Sequence, residues 1–316
     1  MKLVTFTVGE EEQQRVGAVL DDGAICEFPS SASAHFTSML ALIDGAEGAL
    51  DLARDHLSKR QTVHAASDVR LLAPLPEPRQ MRDALCFEKH LRQARANRHL
   101  FGFEGVPRDP AKIEVPAVWY EQPIYYKANR FSVVGTETDI TVPRGETRFD
   151  YELELGLVIS RKGKDIRPEN AREHMFGFCI FNDYTARTAQ LREMTGQLGP
   201  AKGKDFDTGN ALGPWLVTAD EIADPHDLTM VARVNGEEWS RGNSGEMHHK
   251  FPAVLAHISS DETLHPGEFI GSGTVGSGCG LELGKFLNDG DVVELEIEGL
   301  GILRNRVVRQ DGDKAA

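Results

Sequence analysis

Two glutamates one residue apart lie in Asp150-Tyr151-Glu152-Leu153-Glu154-Leu155-Gly156-Leu157-Val158-Ile159, where side chains alternate as they do along a β-strand. The alternation puts Glu152 and Glu154 on one face and Tyr151, Leu153, Leu155 and Leu157 on the other. An acidic stripe of this kind is ordinarily a solvated face. Two details point elsewhere. Same-face neighbouring carboxylates repel unless a cation lies between them, and Gly156, next on that face, leaves room where a ligand would stand. Hard oxygen donors suit Mg²⁺, Mn²⁺ or Ca²⁺ better than zinc. Further on, Phe176-Gly177-Phe178-Cys179-Ile180-Phe181-Asn182-Asp183 reads as a buried strand that ends ahead of a helix. Asp183 is then either a helix cap or a metal ligand at the strand end, and the residues alone leave both open.

The elements that must position these groups are mostly strands. Residues 2–8 and 15–28 read as short strands around the turn Asp21-Asp22-Gly23, and 37–58 carry helical spacing. Pro74, Pro76 and Pro78 break any helix or central strand, so the domain boundary is placed there: a small domain over 1–70 and a catalytic one over 71–316. A helix is expected from Phe87 to Leu100, then a loop-like tract to Gln122. Strands are expected at 124–126, 131–134, 151–159, 176–182, 214–218, 228–235, 268–271 and 291–298, and helices at 168–175, 184–194 and 247–259. Strands outnumber helices and few βαβ units repeat, which favours an α+β, β-dominated fold over a doubly wound sheet.

Composition narrows the partners. With 49 acidic and 35 basic residues the formal charge is −14, a surface that repels phosphate backbones and anionic lipid, so neither nucleic acid nor membrane is an expected partner. Cys26, Cys86, Cys179 and Cys279 form no Cys-x-x-Cys pair. No secretory apolar region opens the chain, and no stretch reaches the ~18 apolar residues of a membrane span, so a cytoplasmic protein is expected. Gly271-Ser272-Gly273-Thr274-Val275-Gly276 satisfies G-x-G-x-x-G, but Ser277-Gly278-Cys279-Gly280 behind it does not read as a helix, so a glycine-rich turn lining the pocket is expected instead of a dinucleotide site. The histidines lack zinc-enzyme spacing, and there is no G-x-S-x-G elbow.

The set Asp-Tyr-Glu-x-Glu-Leu (150–155), Asn-Asp-x-Thr-Ala-Arg (182–187), Gly-Lys-Asp-Phe-Asp-Thr (203–208), Leu-Gly-Pro-Trp (212–215) and Gly-Ser-Gly-Thr (271–274), taken in order, resembles the fumarylacetoacetate hydrolase family over about residues 70–310. The resemblance implies a core like the family's mixed β-sandwich roll, a homodimer, and metal carboxylates at Glu152, Glu154 and Asp183, with Asp83 as a fourth. It implies His90 as general base. Glu88 is the candidate carboxylate beside it, although Gln93 stands where small members carry glutamate. It also implies Lys204 (or nearby Lys202) as the active-site cation, and substrate contacts from Tyr126, Lys127, Arg187, Gln190 and Thr274. The tract 97–122 is expected to form a lid or a dimer contact.

The activity implied by this resemblance is Mg²⁺-dependent hydrolysis of a carbon–carbon bond in a β-diketone of the acylpyruvate type, with Mn²⁺ or Ca²⁺ as alternative ions. The substrate is then a small anionic diketo or oxo acid. Decarboxylation, isomerisation or dehydration of a small 2-oxo acid is the alternative, and the pairing of His90 with a carboxylate is the discriminator, because hydrolysis needs an activated water.

Overall fold

The structure, a computed structural model, describes residues 1–310. Its strands are β1 (Lys2–Val8), β2 (Arg15–Val19), β3 (Ile25–Glu27), β4 (Val63–His64), β5 (Val69–Leu71), β6 (Met81–Ala84), β7 (Tyr125–Lys127), β8 (Val133–Val134), β9 (Asp139–Thr141), β10 (Phe149–Asp150), β11 (Leu153–Ile159), β12 (Met175–Asp183), β13 (Thr185–Ala186), β14 (Asn210–Thr218), β15 (Thr229–Val234), β16 (Glu237–Asn243), β17 (Phe269–Gly271), β18 (Val292–Ile297) and β19 (Gly301–Val308). The helices are α1 (Met39–Asp44), α2 (Ala46–Lys59), α3 (Glu88–Ala96), α4 (Ala117–Glu121), α5 (Arg187–Met194), α6 (Ala201–Lys204), α7 (Phe251–Ser259) and α8 (Gly280–Leu283).

A mixed 12-stranded sheet runs β4-β3-β2-β1-β14-β12-β11-β17-β6-β7, with β5 joined to β1 and β8 to β14. A second sheet, β16-β15-β18-β19-β9, packs on it. The alternation along β11 decides which residue meets which layer. Leu153, Leu155 and Leu157 join the core shared with Met230, Leu295 and Leu303 of the second sheet. On the opposite face Val158, with Cys179 and Phe181 of β12, packs against Leu42, Ile43 and Leu50 of α1 and α2. Both faces of β11 are therefore buried, and the acidic pair is not a solvent-facing stripe.

The N-terminal strands do not form a separate sheet: Leu3 of β1 pairs with Leu216 of β14, so they extend the large one. The helical spacing over 37–58 is divided into α1 and α2 at Ala46, whose φ of 49° is left-handed; the turn lets Leu42, Ile43, Ala49 and Leu50 all reach the same core. Segment 168–174 is a 3-10 helix, and the expected helix at Phe87–Leu100 stops at Ala96 before a 3-10 turn. The tract after it is largely loop but holds α4.

Candidate active site

Three strands and one strand end bring the acidic groups together. Gly271 of β17 lies between Gly156 of β11 and Asp83 of β6 in register, while β12 delivers Asp183 at its last residue. Carboxylate oxygens of Asp83, Glu154 and Asp183 all lie within 4.8 Å of one another, and all three residues are buried. Gly271 makes this possible, since a Cβ there would collide with Asp83 Oδ1 and lie 3.0 Å from Glu154 Oε2. Gly156, expected to leave room for a ligand, instead makes room for the ring of Phe269. Asp183 does not cap a helix: α5 begins after Ala186 with no side-chain cap.

Each carboxylate is held by donors. Gly273 N–H donates to Asp83 Oδ1 at 3.2 Å and Glu154 Oε2 at 3.0 Å, and Thr274 Oγ1 donates to Glu154 Oε1 at 3.2 Å. Tyr126 Oη donates to Asp183 Oδ2 at 2.7 Å. Lys204 Nζ donates at 2.6 Å to each of Asp183 Oδ2, Glu152 Oε2 and Thr185 Oγ1. Lys204 is buried while Lys202 is exposed, so the lysine at the site is Lys204. Glu152 stands beside the three convergent carboxylates, between Lys204 and Arg187, whose Nη2 donates to Glu152 Oε1 at 2.7 Å.

The electrostatics call for a cation. Burial and then its acidic neighbours push Asp83 up to about 7 and Asp183 up to about 6, although Lys204 opposes the rise. Burial and Asp83 raise Glu154 well above the ordinary carboxylate range. Glu152 is lowered: burial opposes ionisation, but Lys204, Arg187 and His90 outweigh it. Two like charges ~4 Å apart repel by about 4 kcal/mol at an effective dielectric of ~20. Protons or a cation must therefore neutralise the trio. Asp183 Oδ1 is buried without a hydrogen-bond partner, as expected of an atom reserved for a metal. The all-oxygen donor set fits Mg²⁺ or Mn²⁺.

His90, on α3, is buried with Nδ1 3.4 Å from Glu282 Oε1, long for a hydrogen bond. Burial lowers its pKa, but Glu282 and then Glu152 carry it above the ordinary histidine value. The carboxylate beside His90 is thus Glu282 and not Glu88, which lies at the surface accepting from Arg92 Nε at 2.7 Å and Tyr120 Oη at 2.8 Å. Glu282 also accepts from Cys279 N and Ser277 N, and Gln93 ties Ser277 to α3. The signal for Glu282 in the sequence was its place three residues after a helix cap, obscured because that cap is Cys279.

A cavity of ≈270 Å³ opens onto Asp83, Glu152, Glu154 and Lys204. Tyr126, Gln190 and Thr274 line it; His90 does not. Lys127 points away: Tyr126 pairs with Asp83 in register, so its neighbour faces the other side, where it reaches Glu262 at 3.6 Å. Arg187 was expected to touch substrate, but its guanidinium is engaged by Asp150, Glu152 and Gln190. Contrary to expectation, a single helical turn, α8, does follow the glycine-rich segment. It offers no phosphate site, because Asp150 accepts from Gly280 N and Leu281 N and Gly273 N–H is turned onto carboxylates.

A β-rich fold enclosing a buried carboxylate cluster with one lysine defines a class of metal-dependent enzymes that act on small organic acids. Residues 80–308 match the family described as fumarylacetoacetate hydrolase, C-terminal, and the chain belongs to that family. It is 33% identical over 311 residues to the mitochondrial oxaloacetate tautomerase of Xenopus laevis, covering 98% of this chain and 90% of that protein. A fumarylacetoacetate hydrolase from the psychrophile Exiguobacterium antarcticum shares the fold with a TM-score of 0.74 and 27% identity, over 98% of this chain and 100% of that one. The maleylpyruvate hydrolase of Sphingobium sp. SYK-6, solved with manganese(II) and pyruvate, is alike in fold at a TM-score of 0.75 and 22% identity, over 98% and 100% of the two chains. Proteins similar to this chain thus include a tautomerase and a fumarylacetoacetate hydrolase.

Proposed function

We propose that the chain is a divalent-metal enzyme that forms and discharges the enolate of a small anionic 2-oxo acid, and that its first reaction is keto–enol tautomerisation of an oxaloacetate-like diacid. The observation that carries this reading is the cavity wall: Asp83, Glu152 and Glu154 line it together with Lys204 and Tyr126, two donors that keep their protons at neutral pH and that both hold Asp183 beside it. The likeness to the Xenopus tautomerase supports the choice of reaction.

Asp83, Glu154 and Asp183 would hold the ion, with Glu152 beside them. When bound, a divalent cation supplies Lewis-acid stabilisation to the oxygens of a 2-oxo acid. The chain's own groups do the rest. Lys204, whose protons go to Glu152, Asp183 and Thr185, places its positive charge at the cavity wall and offsets negative charge that grows as a C–H proton leaves, while Tyr126 holds Asp183. Gln190 and Thr274 orient the acid. His90, set back from the cavity wall, would relay the proton through water at Nε2, while Nδ1 is turned to Glu282. Arg187 keeps Glu152 and Asp150 in place.

Hydrolysis of an acylpyruvate is the second reading, favoured by Glu282 beside His90, which is the pair that water activation needs. The two are separated by giving purified protein, with Mg²⁺, Mn²⁺ or chelator, the enol of oxaloacetate and a panel of acylpyruvates. Enol absorbance lost without cleavage products supports the first reading; release of pyruvate and a carboxylic acid supports the second. Turnover undiminished by exhaustive chelation would sink both. All four cysteines are free and buried, which supports a reducing compartment such as the cytoplasm.

A further inference from the structure

A second cavity, ≈390 Å³, lies on the other side of α5 from the candidate active site. Its walls combine apolar and aromatic side chains (Leu100, Phe101, Phe103 and Leu191) with two guanidinium groups, Arg148 and Arg192. Arg148 is half-buried and stacks over the ring of Phe101 at 4.7 Å and that of Phe286 at 5.4 Å, the two rings themselves meeting edge to face. Its plane is therefore set before any ligand arrives. Among the described residues neither Arg148 nor Arg192 has a carboxylate within ion-pair distance, in a chain where acids outnumber bases 49 to 35. The nearby Glu146 carboxylate is taken up by the backbone amides of Arg148, Thr188 and Ala189.

A preorganised guanidinium fork presents paired donors that match a carboxylate, and a stacked one loses little freedom on binding. The aromatic and aliphatic wall beside it suits a ring better than water does. We propose that this cavity is a second ligand site, for a carboxylate carried on an aromatic or bulky apolar body, with Arg148 and Arg192 gripping the anion and Phe101, Phe103 and Leu191 covering the body. The site is distinct from the metal cavity but shares a wall with it. Helix α5 turns Thr188, Leu191 and Arg192 toward the second cavity and Gln190 and Met194 toward the first, and its first residue, Arg187, holds Glu152. An occupant therefore bears on the same helix that orients the substrate.

The test is calorimetric titration of the full chain with phenylacetate, against acetate (charge without ring) and phenylacetamide (ring without charge). This binding readout is independent of the proposed reaction. One equivalent of phenylacetate is expected to bind at least tenfold more tightly than either control. Arg148→Gln and Arg192→Gln should each weaken it by about tenfold, and both should retain the basal turnover of the parent. Arg192 is exposed on α5, so its variant stays informative if Arg148→Gln fails to fold. Equal affinity for acetate, or phenylacetate binding unchanged in Arg192→Gln and Arg148→Gln, would place the anion at Lys204 or nowhere specific and overturn the proposal.

Discussion

At the scale of single residues, the site turns on which atoms lack partners and which have too many. Asp183 Oδ1 has none while Asp183 Oδ2 takes both Tyr126 and Lys204. Asp183→Asn keeps the shape but removes the charge, and Mn²⁺ titration should show affinity down by more than about 100-fold, since even groups behind the ligands are worth 10–100-fold. His90 yields a pH prediction. Glu282 raises its pKa, so the neutral base forms only above the ordinary histidine value, and activity should climb as pH rises through it. In Glu282→Gln burial dominates, so the acidic limb of kcat/KM moves to lower pH and kcat drops by up to about 100-fold. Glu88→Gln, changing only a surface contact with Arg92 and Tyr120, should leave the limb where it was. An unmoved limb in the Glu282 variant would remove Glu282 from the proposed machinery.

At the scale of elements, two glycines in register on neighbouring strands have opposite duties. Gly271→Ala would drive a methyl into Asp83 and Glu154 and should abolish measurable metal binding while Tm changes little. Gly156→Ala would press on the Phe269 ring and should cost about 1–3 kcal/mol in denaturant unfolding with the metal affinity largely kept. This division was not legible beforehand: the sequence marks Gly156 as special but not what fills the space, because Phe269 arrives from a distant strand. Legibility followed contact range. The strand alternation around Glu152 and Glu154 and the apolar run ending at Asp183 are local patterns, and the strands form where those patterns lie. Glu282 comes from a turn that meets α3 only in the folded chain, and Lys127 was misread because its register with Arg82 fixes its face. Family resemblance brought Asp83, His90 and Lys204 to notice; spacing alone would have left them as ordinary surface residues.

For the whole molecule, the carboxylate cluster links stability to pH and to metal. Asp83 and Asp183, raised to about 7 and about 6 when folded, bind protons in the native state that the unfolded chain has already lost. Their contribution is fully present below their ordinary pKa of ~3.9 and disappears as pH rises through about 7. The metal-free protein should thus lose Tm between about pH 4 and pH 7 in calorimetry, relative to the same protein with saturating Mn²⁺, in which the ion replaces the protons. Parallel curves with and without metal would contradict the clustered arrangement. The pairing of β1 with β14 has a further consequence, one of timing. The partners of Lys2 and Leu3, Val217 and Leu216, are made some two hundred residues after them. At ~5–20 residues per second, that half of the strand waits roughly ten to forty seconds as an open, apolar edge. During synthesis Lys2 and Leu3 are therefore a stretch to be shielded before they become part of the sheet.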